Sequence, residues 1–380
     1  MKVHVEKDVL SDAVAWAARY LPARAGSSPQ LACLRIAASG DSVTVSGFDY
    51  ETSAQVTVPA KVAEDDVALV SGRLLADICR ALPDQPVGLT AEGSRVSLTC
   101  GSSRFTLQTM SAGDYPDLPP MPSVIGTVGA DAFALAASQT ITAAGHDDML
   151  PALTGVKLEF EGPRLTMTAT DRFRLSLREL EWGPRNMSVS ASALVPARVL
   201  GDTARSVAPG TELDIALPTD GSGGLLGFVS AGAGGERRTT TRLIDAAFPN
   251  VRQLFPSTAT STAVVEVRPL LESVKRVSLV AGRNTSIRLA FTDGELTMEA
   301  GNGEEAQATE SVAASLTGDD IAIGFNPSYL LDGLGAIQGS HVHVAMTTPA
   351  KPAAFAAADG TSAEPDLSFR YLLMPLRMQA

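Results

Sequence analysis

Two hydrophobic periods alternate along the chain. Six segments place apolar residues at helical spacing: about 8–20, 71–82, 131–145, 196–207, 268–283 and 326–337. Three of them open on N-cap or first-turn residues, namely Ser71, Pro196 and Asn326-Pro327. Between the helices, apolar and polar residues alternate over short runs: Ser42–Ser46, Arg95–Thr99, Arg104–Gln108, Arg164–Thr168, Glu295–Glu299 and His341–Ala345. A period of two, bounded by Gly, Asp and Ser, marks half-buried strands of antiparallel sheets. The pattern predicts an α+β chain with its helices packed on one face of its sheets.

The elements recur at the length of a whole domain. Arg73-x-x-x-Asp77-x-x-Arg80 returns as Arg198-x-x-x-Asp202-x-x-Arg205, and a third copy keeps Asp332 but has Ser328 and Gly335 in place of the arginines. The aspartates stand 125 and 130 residues apart. Asp49, Asp171 and Asn302 follow similar strands at the same interval, and Ala112–Pro116, Asp245–Pro249 and Phe369–Pro375 close their repeats alike. Proline- and serine-rich stretches at 119–123 and 256–262 read as linkers, and 231–235 and 359–366 as long hairpin loops. Three repeated domains are therefore expected at 1–122, 123–256 and 257–380, each with two helices and roughly eight strands. Such a repeat points to a symmetric, shape-based function in preference to one catalytic pocket.

The chain has 380 residues and is 45% hydrophobic, a globular composition with no apolar run near the ~20 residues of a membrane span. Its N-terminus has no signal-peptide core, so a cytoplasmic protein is expected. Cys33, Cys79 and Cys100 are odd in number, have apolar or strand-like neighbours and form no C-x-x-C, which fits buried free thiols in a reducing compartment. The net charge of −12 argues against a nucleic-acid binder when taken whole. Its distribution alters that: the six helices carry nine basic against seven acidic side chains, leaving the remainder at −14. Arg73 with Arg80, and Arg198 with Arg205, share a helix face at i and i+7, while Leu74, Leu75, Ile78 and Leu82 are expected to turn onto the sheet. A merely solvated amphipathic face explains the arginines equally well.

No active site emerges. Gly301-x-Gly303-x-x-Ala306 imitates a dinucleotide fingerprint, but the alternating Gln307–Val312 that follows reads as the return strand of a hairpin. The glycine-rich 221–227 lacks a Gly-Lys-Ser/Thr and reads as a loop. His341 and His343 have no third ligand, so no metal is expected, and Asp147-Asp148, Glu304-Glu305 and Asp319-Asp320 read as solvated turns. No cofactor is implied. An α+β enzyme whose site escapes these motifs stays open as the alternative of another class.

Thr170-Asp-Arg-Phe-Arg-Leu175, Asp245–Arg252, Gly324–Asp332 and Tyr371–Arg377 are similar to the bacterial sliding clamp, the β subunit of DNA polymerase III, and the similarity runs collinearly from Met1 to the C-terminus. The resemblance implies a non-catalytic processivity factor. It would be a head-to-tail homodimeric ring of six domains that encloses double-stranded DNA without reading its sequence. Arg24, Arg73, Arg80, Arg198, Arg205, Lys275 and Arg276 would then face phosphates.

The family's second site is a hydrophobic groove for short linear motifs of the DNA polymerase III α subunit, the clamp loader, other polymerases and repair proteins. Carried over, its deep part is Leu153, Thr170, Phe173, Arg174, Leu175, Pro249, Leu254, Leu372 and Met374, and its shallow part His146, Asn326, Tyr329, Pro375 and Leu376. The seam of the ring is expected at Phe105 in the first domain and at Leu279 and Val280 in the last. Gln253, Gln30–Cys33 and a helix at 131–145 without basic residues depart from the family pattern, and leave open a diverged paralogue with narrower duties.

Overall fold

A computed structural model describes residues 1–22, 28–218, 224–232, 234–256, 258–282, 285–301, 306–361 and 364–376. Arg24, Arg283, Asn302, the 302–305 part of the glycine-rich turn, 221–223 of the glycine-rich 221–227 and Arg377 lie outside the described residues.

All six expected helices form: α1 Lys7–Ala17, α2 Gly72–Ala81, α3 Ala130–Ile141, α4 Ala197–Ser206, α5 Val267–Val277 and α6 Pro327–Ala336. The first, third and fifth are shorter than their periodicity: a 3₁₀ turn finishes the first and fifth, at Ala18–Tyr20 and Ser278–Val280, and the third ends at Ile141. Asn326 caps α6, its side-chain oxygen accepting from the Ser328 and Tyr329 amides at 2.9 and 3.2 Å. Ser71 precedes α2 without a capping hydrogen bond from its side chain.

Every run of alternating residues lies in a strand, and pairings such as that of Arg95–Cys100 with Ser103–Met110 and of Gly294–Gly301 with Gln307–Gly318 are antiparallel. The loop at 231–235 is tighter than expected, since Ala231 and Glu236 already face each other across the hairpin. The second linker is also shorter, because a strand begins at Ser261.

The contacts group the chain into two compact units. One unit comprises Met1–Ala134, Glu161–Pro163 and Glu181–Ile244, and the other Leu135–Phe160, Arg164–Leu180 and Asp245–Ala380. The middle repeat is thus shared between them. Hydrogen-bonded strands are the reason. In the first unit Thr52–Pro59 pairs with Glu236–Arg242, joining strands from the first and middle thirds of the sequence. In the second, Arg174–Arg178 pairs with Phe369–Leu373 and joins the middle third to the last.

The first unit buries α1 and α2 against its sheet. Leu10, Val14 and Trp16 of α1 meet Leu75, Ile78 and Cys79 of α2 over Leu34, Ile36, Val43 and Val45. Each fully buried leucine or isoleucine of this kind is worth about 1.5–3 kcal/mol relative to exposure. Leu74 departs from expectation: it is 49% exposed, because it lies one position beyond Arg73 and so follows the helix's outer edge. Arg237 comes from the strand Glu236–Arg242 and ties α1 to α4. Its guanidinium bonds Asp12 and the Ser206 carbonyl, 5.5 Å from the Trp16 ring.

In the second unit Gln139 of α3 donates to the Ala336 carbonyl of α6 at 2.8 Å. A Cβ at Gly333 would stand 2.3 Å from the Tyr371 ring, so only glycine lets α6 lie this close to the sheet. All three cysteines are free and buried.

Candidate functional site

The repeated Arg–Asp–Arg helix pattern has a simple local logic. Asp202 stands between its two arginines in α4, 2.7 Å from Arg205 and 3.7 Å from Arg198. In α2, Asp77 holds Arg80 at 2.9 Å, while Arg73 donates to the Pro22 carbonyl at 3.1 Å. These bridges span three or four residues on exposed surface, so they fix side-chain direction more than they stabilise. Arg73, Arg80, Arg198, Arg205, Lys275 and Arg276 are all exposed. Arg276 is already engaged: its Nε and Nη2 each donate to a Glu310 carboxylate oxygen at 2.7 Å. That fork holds the Glu310 carboxyl down at about 2.

In the third copy the helix has lost its arginines, and Asp332 turns to a different cation. Arg174, 6% exposed, bonds Asp332 through Nη1 and Asp171 through Nε, and lies 4.3 Å above the Tyr329 ring. Burial works against the Arg174 charge, but Tyr371, Asp332 and Asp171 outweigh it and hold the guanidinium charged. The Asp171 carboxylate also accepts from the Phe173 and Arg174 amides, both at 3.0 Å, and so shapes the turn that lifts Phe173 outward. Arg172 takes φ +80° at that turn.

This turn forms one wall of a cleft of about 390 Å³. Of the residues expected there, His146, Leu153, Phe173, Arg174 and Tyr329 line it. Phe173 is 47% exposed and its ring stacks 6.3 Å from Tyr329. Leu175 and Leu372 instead lie beneath the surface with Val251, and Phe248, Phe255 and Met374 pack on them. The strand end is fixed beside the turn by the Met374 amide, which donates to the Phe173 carbonyl at 2.8 Å. Thr170 is buried and donates to the Arg174 carbonyl at 2.7 Å, a turn-holding role. Asn326 serves as the helix cap, and Pro249 and Leu254 are exposed outside the cleft lining. Pro375 and Leu376 are half-buried, the Leu376 amide bonded to the Gly324 carbonyl at 2.8 Å.

Sequence reasoning missed Gly145, Asp147, Leu150, Asp171 and Arg172 as lining. Only Asp171 carried a signal, its place in the repeat. Chemically the cleft offers an aromatic and aliphatic surface beside one fixed cation. That suits a short apolar peptide.

Two strand edges complete the picture, one in each unit. Ser103–Met110 pairs along its length with Arg95–Cys100, but meets its other neighbour only at Thr109 and Met110. Phe105 is 36% exposed on it. Gln307–Gly318 pairs with Gly294–Gly301, while its other side is covered only at 314–318. Near that open edge Leu279 is 82% exposed and Val280 half-buried, in a hollow of about 330 Å³ shared with Gly301 and Ala306. Open edges of this length invite a further strand.

His341 and His343 share one half-buried strand face, where burial lowers the His343 pKa. Among the described residues no group of His, Cys, Asp and Glu could hold a metal, and no helix is long and apolar enough to cross a membrane.

Comparison with known proteins decides the family. The models for the N-terminal, central and C-terminal domains of the DNA polymerase III beta subunit match residues 1–119, 127–250 and 252–377. The chain belongs to the beta sliding clamp family. It is 50% identical to the beta sliding clamp of Streptomyces coelicolor over the whole of both chains. The crystal structure of DNA polymerase III subunit beta from Pseudomonas aeruginosa superposes with a TM-score of 0.89 at 26% identity, covering both chains completely. A sliding clamp of the same organism, solved bound to griselimycin, also gives 0.89, at 25% identity. The α+β fold of three clamp-type domains and the function of a DNA sliding clamp follow, over the diverged-paralogue alternative.

Proposed function

We propose that two copies of this chain close head-to-tail into a ring around duplex DNA and act there as a non-catalytic, cytoplasmic tether. The collinear match of three clamp domains to the whole chain carries this reading. The domain limits we assign are 1–122, 123–256 and 257–380. A closed ring cannot leave DNA sideways, so loose, salt-sensitive phosphate contacts suffice and still permit sliding. The exposed Arg73, Arg80, Arg198, Arg205 and Lys275 supply those contacts, with Arg276 sharing its charge with Glu310. Arg24 is assigned with them on sequence alone.

The cleft at Phe173, Arg174 and Tyr329 receives short linear motifs. Leu153 and His146 line it, and we assign Met374, Pro375 and Leu376 to the groove with Thr170, Leu175, Leu372 and Asn326 as its support. Pro249 and Leu254 extend the apolar rim. The partners are the DNA polymerase III α subunit, the clamp loader, other polymerases and repair proteins. The seam joins the Phe105 edge of one copy to the Leu279–Val280 edge of the next.

Retention on DNA tests this. Loaded by its cognate clamp loader, the protein stays on closed circular DNA at high salt and is lost on linearisation. Equal loss from both topologies refutes the ring.

A further inference from the structure

The turn that builds the cleft of the second unit is repeated in the first. Asp49 there does what Asp171 does: its carboxylate accepts from the Glu51 and Thr52 amides at 3.0 and 2.6 Å. Tyr50 takes φ +72° where Arg172 takes +80°, and no other described residue except glycine has a positive φ. A strand end then locks on in the same way, the Arg242 amide donating to the Glu51 carbonyl at 2.8 Å as the Met374 amide donates to Phe173. The backbone frame is therefore duplicated, with Glu51 in the place of Phe173 and Arg242 in the place of Met374.

This second frame also carries a cavity, of about 270 Å³, lined by Phe48, Tyr50, Glu51, Pro119, Leu225 and Arg242. Tyr50 is 47% exposed, its ring set edge-on to Phe48 at 5.5 Å, so a large apolar face stands open. Beside it the Arg242 Nε donates to the Tyr50 carbonyl at 3.0 Å, which fixes the guanidinium plane at the mouth. No carboxylate among the described residues pairs with Arg242, in contrast to Arg174 with its two aspartates.

We infer that this is a second peptide-docking groove, selective for a short extended segment with one acidic residue beside an aliphatic or aromatic anchor. The planar fork of Arg242, without a carboxylate partner among the described residues, matches a carboxylate, and the open Tyr50 face with half-buried Leu225 matches the anchor. Glu51, which pairs with no cation among the described residues, disfavours a run of acidic residues. The inference extends the peptide-binding reading of the Phe173 cleft, from which it borrows the backbone frame.

The test is methyl NMR of the full-length, leucine-labelled protein, titrated with acetyl-Asp-Leu-Phe-amide and with acetyl-Lys-Leu-Phe-amide. Leu225 reports on this groove and Leu372 on the other. The Asp peptide is expected to shift the Leu225 methyls saturably, with binding weakened about tenfold or more in Arg242→Glu and for the Lys peptide, as loss of a charged hydrogen bond requires. Met374→Asp should leave the Leu225 response intact. No Leu225 shift at millimolar peptide, or equal affinity in Arg242→Glu, overturns the inference. A Leu225 response without any at Leu372 supports it, and removes the peptide reading of the Phe173 cleft instead.

Discussion

Substituting Leu279 by aspartate should convert a ring into monomers. The side chain is 82% exposed in the single chain and touches no core, so folding of the protomer loses little. In a closed seam that surface is covered. Burying most of a leucine contributes about 2 kcal/mol, and the variant forfeits it. It also places a carboxylate in an apolar seam without a partner, which costs several kcal/mol even after relaxation. The loss is about 4–5 kcal/mol per seam. A two-fold ring has two identical seams, so the mutation counts twice, at about 8–10 kcal/mol in all. At 1.4 kcal/mol per factor of ten, the dimer constant weakens by about a millionfold.

Light scattering over a dilution series into the nanomolar range reads this directly. The wild type is expected at twice the 39.4 kDa chain mass and Leu279→Asp at the chain mass, with unchanged circular dichroism. Leu279→Ala, which removes only the transfer part, should weaken the dimer by about 100- to 1,000-fold. A dimer of unchanged stability in the aspartate variant would mean that the seam lies elsewhere.

Three further outcomes are expected. Met374→Asp puts a charge on the apolar cluster beneath the Phe173 cleft. Binding of a Gln-x-x-Leu-Phe-type pentapeptide should fall by at least about tenfold by isothermal titration, and full affinity would remove Met374 from the groove. Glu310→Gln frees the Arg276 fork, so DNA affinity at low salt should rise and the salt slope steepen by about one per protomer; anisotropy titrations showing no change would take Arg276 away from the DNA. Cys79 has its thiol pushed by burial, then by Cys100, from 9.0 up to about 12. The unfolded thiol ionises first, so this contribution to stability is intact below about pH 8.5 and is lost as pH rises toward 12. In alkaline denaturant titrations Cys79→Ala should accordingly show a flatter pH dependence than the wild type, and parallel profiles would contradict the assignment.

Much of this protein was legible in the order of its residues. Helices α1–α6 and the alternating strands follow from periods of 3.6 and 2, because burial of one face is a local property of the pattern. The threefold repeat needed only the spacing of Asp77, Asp202 and Asp332. The buried cysteines and the hairpin at Gly301 were readable for the same local reason.

What the sequence could not contain was the choice of partner. Asp332 has no arginine within reach on its own helix, and only the fold brings Arg174 to it from a turn 158 residues earlier. Leu74 looked like core and Leu175 like groove wall, yet the first is exposed and the second sealed, since facing elements decide burial within an apolar run. The two compact units divide the middle repeat because strand pairing by backbone hydrogen bonds is indifferent to which repeat a strand came from. For the same reason Arg242 and Tyr50, unremarkable and distant in the chain, meet at one mouth only in three dimensions.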